Sequence, residues 1–227
     1  MNQYIFYILL DIPVEHETEF NTVYDTDHLV HMVQVPGVSD CIRYKLEWSD
    51  NPDMIRYLAI YHIASPELPR SDAWKTQGSL GRWPTDIRQH VTARRNGVFR
   101  QIFHTEAQSY PSAPHKDATG SDYIYFLQQS VPPELEAKFN DLYGGDHIPL
   151  MMQAPGVKAC TRYKLEYSDT GGTPDYLAIY AIDKAGTPRS PEWKKQTSLG
   201  AWPTQIRPHF TERRNGVYHR TGIVRSK

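Results

Sequence analysis

Apolar and aromatic residues near the start of the chain first follow a strand pattern and then a helical one. Residues 4–10 read YIFYILL, a run of β-branched and aromatic side chains that stops at an aspartate and a proline, which is typical of a strand. From Glu15 to about Gln34, apolar and aromatic residues recur at helical spacing until Pro36-Gly37 ends the pattern. The pattern therefore predicts a strand followed by an amphipathic helix.

Two more strands, a second helix and a last strand are predicted next. Residues 38–48 and 56–63 alternate in polarity and are separated by the turn-forming SDNPDM, which indicates a hairpin. Residues from 74 to about 90 have helical spacing but are interrupted by a glycine and a proline, and a final strand is predicted over residues 98–103. The order β-α-β-β-α-β is the ferredoxin-like arrangement.

The same pattern occurs twice in the chain. A shift of 119 positions carries Tyr4 onto Tyr123 and aligns VPGVSDCIRYKLEWSD with APGVKACTRYKLEYSD, and about half of all aligned positions are identical. An internal repeat of this length indicates a tandem duplication. We therefore predict one repeat over residues 1–103, a linker rich in Pro, Ser, Gly and Ala over 104–122, and a second repeat over 123–227.

Each repeat has a reason to pair with the other. A four-stranded sheet with both helices on one side leaves its other face uncovered, and stacking two such sheets buries both faces. A module of about 100 residues is also near the small end for an independent core. The predicted fold class is therefore α+β, with two ferredoxin-like repeats packed sheet to sheet into one barrel.

Composition narrows the choice of partners and location. The formal charge of −1 and the absence of a long Lys/Arg run argue against nucleic-acid or membrane partners. No stretch approaches the roughly 18 apolar residues of a membrane span, and YIFYILL lacks the basic flank of a signal peptide. We expect a cytoplasmic protein. Cys41 and Cys160 occupy equivalent positions and are predicted to be buried free thiols.

A short motif shared by both repeats resembles the dimeric α+β barrel superfamily, particularly its EthD-like members. Those proteins have an acidic residue and a histidine on the first helix, then Pro-Gly, then a strand reading Arg-Tyr. The matching residues here are Asp27, His28, Pro36, Gly37, Arg43 and Tyr44, repeated as Asp146, His147, Pro155, Gly156, Arg162 and Tyr163. Pro149 follows the family pattern in the second repeat, whereas Val30 departs from it in the first.

The resemblance implies an intramolecular version of the dimeric α+β barrel, but it does not choose a reaction. The superfamily includes muconolactone isomerases, polyketide cyclases, hydroxynitrile lyases, cofactor-free monooxygenases and haem enzymes. Because one fold supports many reactions, the reaction has to be argued from the site.

The candidate catalytic residues are the histidine, tyrosine and aspartate of the shared motif. His28 and His147 lie on the predicted sheet-facing stripe of the helix, where an imidazole can move a proton or can simply be a satisfied core residue. The aromatic face of the second strand is predicted to meet the helices and to bring Tyr44 and Tyr163 toward these histidines, where each tyrosine could donate a proton or could simply pack with its hydroxyl satisfied. Asp27 and Asp146 either orient the imidazole or, as the better interpretation, cap a helix that restarts after a break.

The candidate substrate-binding residues are two arginines and a set of aromatic and histidine residues. Arg43 and Arg162 could bind a carboxylate, or could pair with Glu47 and Glu166 inside the barrel. The remaining candidates are Tyr24, Tyr143, Tyr61, Tyr180, Trp74, Trp193, His90 and His209. Most of these aromatics belong to a core, yet a pocket drawn from them favours flat apolar ligands with a polar group.

These residues favour an enzyme that needs no cofactor. The chain has no phosphate-binding loop, nucleophile elbow, HExxH or CxxC motif, and we predict no metal site. The leading hypothesis is proton transfer on a small aromatic-derived or polyketide-like acid by an isomerase, lyase, decarboxylase or cyclase. The alternatives are a monooxygenase or haem-dependent enzyme and a non-catalytic ligand carrier. The predicted partner is a small-molecule substrate, and further association of chains stays open.

Overall fold

The computed structural model describes residues 3–107 and 115–226. These residues form eight strands and several short helices. The strands are β1 (Tyr4–Asp11), β2 (Val38–Trp48), β3 (Tyr57–Ile63), β4 (Ala93–Glu106), β5 (Tyr123–Ser130), β6 (Val157–Tyr167), β7 (Tyr176–Ile182) and β8 (Glu212–Arg225). The α-helices are α1 (Glu17–Val23), α2 (Leu29–Met32), α3 (Asp72–Gly78), α4 (Glu136–Leu142), α5 (Ile148–Met151), α6 (Pro191–Thr197) and α7 (Trp202–Gln205).

The eight strands form one closed antiparallel barrel in the order β1-β3-β2-β8-β5-β7-β6-β4. The pairs β2–β8 and β4–β6 join strands of the first half to strands of the second. This architecture confirms the predicted mixed α+β barrel. The same order of elements occurs in both halves, while the origin of that order in a duplication stays a prediction.

The first predicted helix is divided into shorter segments. A 3-10 turn at Val14–His16 leads into α1, and a π-helical turn at Tyr24–His28 separates α1 from α2. The second half has the same π-helical turn at Tyr143–His147. The wider π turn brings both ends of the segment, Tyr24 and His28, to the buried side. Such turns are frequent at functional sites.

The interior of the barrel is filled by side chains. Tyr7, Phe99 and Phe126 are buried there, with the ring of Tyr7 5.4 Å from each of the other two. Each large apolar side chain removed from water contributes about 1.5–3 kcal/mol to folding. The barrel is therefore a packed core, and the space for a ligand lies elsewhere.

The two faces of β2 are oriented opposite to the sequence-based prediction. Ile42 and Tyr44 pack in the barrel interior, whereas Cys41 packs with the helices and Arg43 bonds to residues of α1 and the π turn. In a closed barrel covered by helices both faces of a strand are buried, so polarity alternation does not tell them apart. The aromatic face fills the barrel, and the arginine face meets polar groups on the helices.

The segment between β4 and β5 is partly built into the barrel. β4 continues to Glu106, beyond the predicted boundary at residue 103. Ala118 and Thr119 are fully buried, and the backbone N–H of Ala118 donates to Oγ1 of Thr161 at 2.8 Å. The rest of the predicted linker, residues 108–114, lies outside the described residues.

Two smaller predictions can be compared directly with the structure. Cys41 and Cys160 are buried and free, as predicted. Among the described residues no helix is both long enough and apolar enough to cross a membrane.

Candidate functional site

Two cavities lie at equivalent places between the helices and the barrel. Pocket one has a volume of about 670 Å³ and pocket two about 470 Å³; both fall within the usual range for small-molecule sites. The aromatic and histidine residues that line pocket one are Tyr24, His28, Tyr61, Trp74 and Trp83. Those that line pocket two are Tyr125, His147, Tyr180, Trp193, Trp202 and Phe210.

A stacked histidine and tryptophan form one wall of pocket one. The imidazole of His28 lies 4.8 Å from the ring of Trp83 at an interplanar angle of 27°. Tyr24 meets both rings edge-on, at 4.9 Å and 5.1 Å. The π turn supplies His28 and Tyr24, and the segment after α3 supplies Trp83, so two separate elements build this wall.

Pocket two repeats this wall. His147 stacks on Trp202 at 4.7 Å and 18°, and Tyr143 meets both rings edge-on. Tyr143, a predicted binding residue, packs against these two rings but does not line pocket two. The recurrence of one geometry in both halves shows that the shared motif specifies this local packing.

Both histidines are held in the neutral form. Burial lowers the pKa of His28 to about 3, and the nearby positive charge of Arg88 acts in the same direction. Burial and Arg207 likewise lower the pKa of His147 to about 3. The Nδ1 atoms of both rings are buried with no hydrogen-bond partner among the described residues. At neutral pH each imidazole is therefore an uncharged group that can accept a proton.

Asp27 and Asp146 fix the turn that carries the tryptophan. Oδ1 of Asp27 accepts a hydrogen bond from the backbone N–H of Arg82 at 3.0 Å, and Oδ2 of Asp146 accepts one from Ala201 at 2.8 Å. Neither carboxylate bonds to the histidine, and neither caps its own helix. The two aspartates therefore neither orient the imidazole nor cap a restarted helix, which were the two predicted roles. Each carboxylate instead accepts a hydrogen bond from the backbone of the neighbouring helical segment.

Gly81 makes this contact sterically feasible. Its φ of +70° lies in the left-handed region, and a Cβ there would come within 1.9 Å of Asp27 Oδ1. The matching Gly200, at φ +72°, would place a Cβ 2.3 Å from Asp146. The aspartate and the glycine thus form one unit that sets the position of each stacked tryptophan.

Tyr44 and Tyr163 are not near the histidines, so the predicted Tyr–His pairs do not form. Both tyrosines lie in the barrel interior. The hydroxyl of Tyr44 donates to the backbone oxygen of Thr119, and that of Tyr163 donates to Oδ2 of Asp117 at 3.3 Å. The reversed orientation of β2 and β6 explains this correction.

Arg43 and Arg162 are structural in their contacts. Arg43 donates to Asp25 at 2.7 Å and to Asn21 at 3.0 Å, and its guanidinium lies 4.5 Å from the ring of Tyr24. Arg162 donates to Asn140 at 2.7 Å and lies 4.3 Å from the ring of Tyr143. The alternative Arg–Glu ladder inside the barrel does not form either, because the arginine face meets the helices.

The remaining predicted binding residues divide between pocket and surface. Tyr61 and Trp74 line pocket one, and Tyr180 and Trp193 line pocket two. His90 instead stacks on His16 at 3.7 Å. His209, its counterpart in the second half, is exposed. Neither of these last two histidines lines a cavity, because each lies in the 3-10 turn that follows the pocket-forming segment.

Sequence reasoning missed a set of cations on each pocket. Lys75, Arg88 and Arg94 line pocket one and are exposed to solvent. Lys194, Arg207 and Arg213 take the same places in pocket two. The sequence could have indicated these cations, because each one recurs 119 positions later in the second half. Cations at the mouth of an aromatic cavity attract an anionic ligand.

Comparisons with solved structures show how widely this architecture occurs. An anthrone oxidase-like protein matches with a TM-score of 0.66 at 12% identity, over 98% of this chain and 92% of that one. An inferred monooxygenase from Fusobacterium nucleatum matches with a TM-score of 0.58 at 11% identity, over 98% and 94%. Chlorite dismutase from Candidatus Nitrospira defluvii, in complex with imidazole, matches with a TM-score of 0.58 at 11% identity, over 95% and 90%.

Between 95% and 98% of the chain takes part in these matches. This protein has the closed α+β barrel fold of these structures. At such low identity the likeness shows the fold of the barrel and nothing about its reaction. No protein-family model matches the chain. No curated protein matches it either.

The pocket histidines do not fit a haem ligand. Each pocket offers one histidine, His28 or His147, as an axial ligand. A metal-bound histidine almost always donates its second ring N–H to a carboxylate, a carbonyl or water. Here Nδ1 of each ring is buried without such a partner among the described residues, so we derive no chemistry through a haem.

Proposed function

We propose that this protein is a cofactor-independent oxygenase for a flat, enolisable aromatic compound, with pocket one as the active site and His28 as the base. The observation that carries this proposal is the neutral imidazole of His28, stacked on Trp83 in the wall of an aromatic cavity of about 670 Å³. Tyr61 and Trp74 give the cavity further flat walls that suit an aromatic ring.

The charge around pocket one favours a substrate that becomes an anion. Its lining contains Lys75, Arg88 and Arg94 and, among the described residues, no carboxylate. Pocket two has three matching cations but also Asp50 and Gln129. An enolate or phenolate is therefore stabilised more strongly in pocket one.

The proposed reaction begins with proton transfer to His28. A C–H bond of a methylene group next to an aromatic ring breaks, and the imidazole accepts the proton. The developing anion raises the pKa of His28 from its resting value of about 3, which lowers the free-energy cost of the transfer. The carbanion gives its electrons to dioxygen, a C–O bond forms, and the second C–H bond and the O–O bond break. Substrate and dioxygen thus yield a carbonyl compound and one water.

The names of fold neighbours favour this function over the proton-transfer hypothesis. An anthrone oxidase-like protein and inferred monooxygenases share the barrel, whereas the neighbours give no support to an isomerase, lyase, decarboxylase or cyclase. We also propose that both halves arose by duplication of one EthD-like module and that catalysis has been retained mainly in the first.

The test is oxygen uptake with anthrone, a tricyclic ketone with a reactive methylene group, as the probe. We expect the wild type to consume dioxygen and to place one atom of isotopically labelled dioxygen in the product. His28→Ala should lower the rate at least about 100-fold, the usual scale for a general base. His147→Ala should leave most of the activity, and His90→Ala, outside both pockets, should leave all of it.

Three results would overturn the proposal. Product without oxygen uptake indicates the proton-transfer hypothesis. Activity that follows a visible absorption band of the purified protein indicates a haem. Binding of anthrone, measured by thermal shift, with no turnover in any variant indicates a ligand carrier.

A further inference from the structure

A cluster of histidine and aspartate side chains lies at the barrel interior, apart from both pockets. Asp40 on β2 and His62 on β3 meet His115, which belongs to the segment connecting the two halves. Oδ1 of Asp40 lies 2.6 Å from Nδ1 of His62, and Oδ2 of Asp40 bonds to Nε2 of His115. The two imidazole rings stack at 3.8 Å and 14°. None of these residues lines pocket one or pocket two.

We propose that Asp40, His62 and His115 bind one divalent transition-metal ion, such as Zn²⁺. One ligand atom from each residue lies within 4.8 Å of the other two. Two imidazoles and a carboxylate are ligands that zinc and its first-row neighbours prefer. Metal–ligand distances of about 2.0–2.2 Å require the three atoms to separate only slightly from their present hydrogen-bonded positions.

The surroundings of His62 are those expected for a metal ligand. Its Nε2 lies 2.7 Å from Oδ2 of Asp117 and 3.1 Å from Oγ1 of Thr119. Asp117 is held in turn by the backbone N–H of Thr119 at 3.0 Å. A carboxylate that accepts the outer N–H of an imidazole turns the lone pair of the other nitrogen toward the metal. Here that nitrogen is Nδ1, which faces Asp40.

The buried charge also favours a divalent cation. The side chains of Asp40 and Asp117 are 4% and 2% exposed. In the described part of the chain their ion pairs involve only histidines, with no lysine or arginine. Two carboxylates and two neutral imidazoles around one divalent ion sum to zero charge. Burial of charge is least costly when it is compensated in this way.

Within the described residues, the first half has this cluster and the second half does not. The positions that match Asp40 and His62 hold Ala159 and Ala181, both fully buried. The proposal therefore gives one metal ion per chain. Because His115 is a ligand, the ion would fasten the connecting segment to strands β2 and β3.

The test is metal titration of the chelator-treated full chain, with Zn²⁺ followed by calorimetry and Co²⁺ by its visible spectrum. We expect one ion per chain in the wild type. His62→Ala, which installs the residue found in the second half, should abolish binding. His115→Ala, at a partly exposed position, should weaken it at least tenfold, and Asp117→Asn about tenfold through loss of the outer hydrogen bond.

A double variant, His16→Ala with His90→Ala, is the matched control. These two histidines stack at 3.7 Å on the outside of the protein and could bind a metal nonspecifically. Their removal should leave binding unchanged. The proposal is wrong if the wild type binds no metal, if the control loses binding, or if folded His115→Ala, checked by circular dichroism, binds as tightly as the wild type.

Discussion

In pocket one β1 contributes Ile8 and Leu10, whereas at the same places pocket two has Leu127 and Gln129 from β5. Pocket two is also smaller and includes Asp50, a residue from the other half of the chain. The stacked histidine and tryptophan are nevertheless the same in both, to within 0.1 Å in ring separation. Both halves therefore have the same stacked histidine and tryptophan, but other residues that line the two cavities differ.

This difference separates two kinds of position. The histidine, the tryptophan and the Asp–Gly contact that places the tryptophan hold the local fold, so each half needs them. Positions such as Leu10 and Gln129 line the cavities and differ between the halves, so they set the size and charge of each cavity. A residue common to both halves is therefore weak evidence for catalysis by itself. The specific chemistry of pocket one lies in its apolar lining and in cations that, among the described lining residues, have no carboxylate beside them.

The largest expected effect tests whether the wall has the same structural role in both halves. Trp83→Ala and Trp202→Ala should each lower the free energy of unfolding by about 3–5 kcal/mol, because each removes a buried indole and its stacked contact. Urea denaturation measures both. Trp83→Phe and Trp202→Phe, which keep an aromatic ring, should cost less than half as much. If only one of the two alanine variants loses less than about 1 kcal/mol of unfolding free energy, the wall does not have the same structural role in both halves.

The next effect is on the pH dependence of stability. The pKa values of folded His28 and His147, about 3, lie below the ordinary 6.5, so below pH 6.5 the unfolded chain binds protons that the folded chain excludes. Stability should therefore fall as pH falls from 6.5 toward 3, by up to about 1.4 kcal/mol per pH unit for each histidine.

Denaturation of His28→Phe and His147→Phe between pH 7 and pH 4 measures each contribution. The two variants should flatten the curve equally, since the burial of the two rings is nearly the same. The contribution of the carboxylates, which all three proteins share, cancels when each variant is compared with the wild type. An unchanged slope in either variant would mean that folding does not lower the pKa of its histidine.

The smallest effect concerns the charge next to each arginine. Arg43 has a carboxylate partner in Asp25, whereas Arg162 has Gly144 at the matching position and bonds to Asn140. Asp25→Gly should lower stability by about 1 kcal/mol, since that carboxylate is 41% exposed. Gly144→Asp should raise it by a similar amount, because a Cβ there meets nothing closer than 3.8 Å.

Thermal unfolding of Gly144→Ala separates the two contributions in the second half. Alanine supplies the reduced freedom of the unfolded chain without the charge. If Gly144→Asp is no more stable than Gly144→Ala, Arg162 gains nothing from a carboxylate, and the cation–aromatic contacts with Tyr143 already suffice.

Much of the fold followed from the sequence, because the repeated alternation of apolar residues fixed the strands. β2 lies over the predicted residues 38–48, and the α+β barrel was correct. The orientation of β2 could not be obtained in this way, because Ile42 and Arg43 are both buried in a barrel covered by helices. The predicted placement of Tyr44 beside His28 failed for that reason.

Other parts of the site depend on contacts distant in sequence. The bond of Asp27 to Arg82 spans 55 residues, and no local pattern indicates it. His115 and Asp117 were assigned to a linker because their neighbours are small and polar, although Asp117 is almost fully buried. His62 is a histidine where the second half has alanine, but this difference between the halves does not indicate which residues His62 contacts.

The closed barrel also determines how the protein responds to dilution. Its two seams, β2 with β8 and β4 with β6, join strands from opposite halves. Because one polypeptide carries both halves, closing these seams is an intramolecular step with a fixed effective concentration. Closure of the barrel is thus independent of protein concentration, and the barrel stays assembled at levels where a barrel made of two separate chains would dissociate.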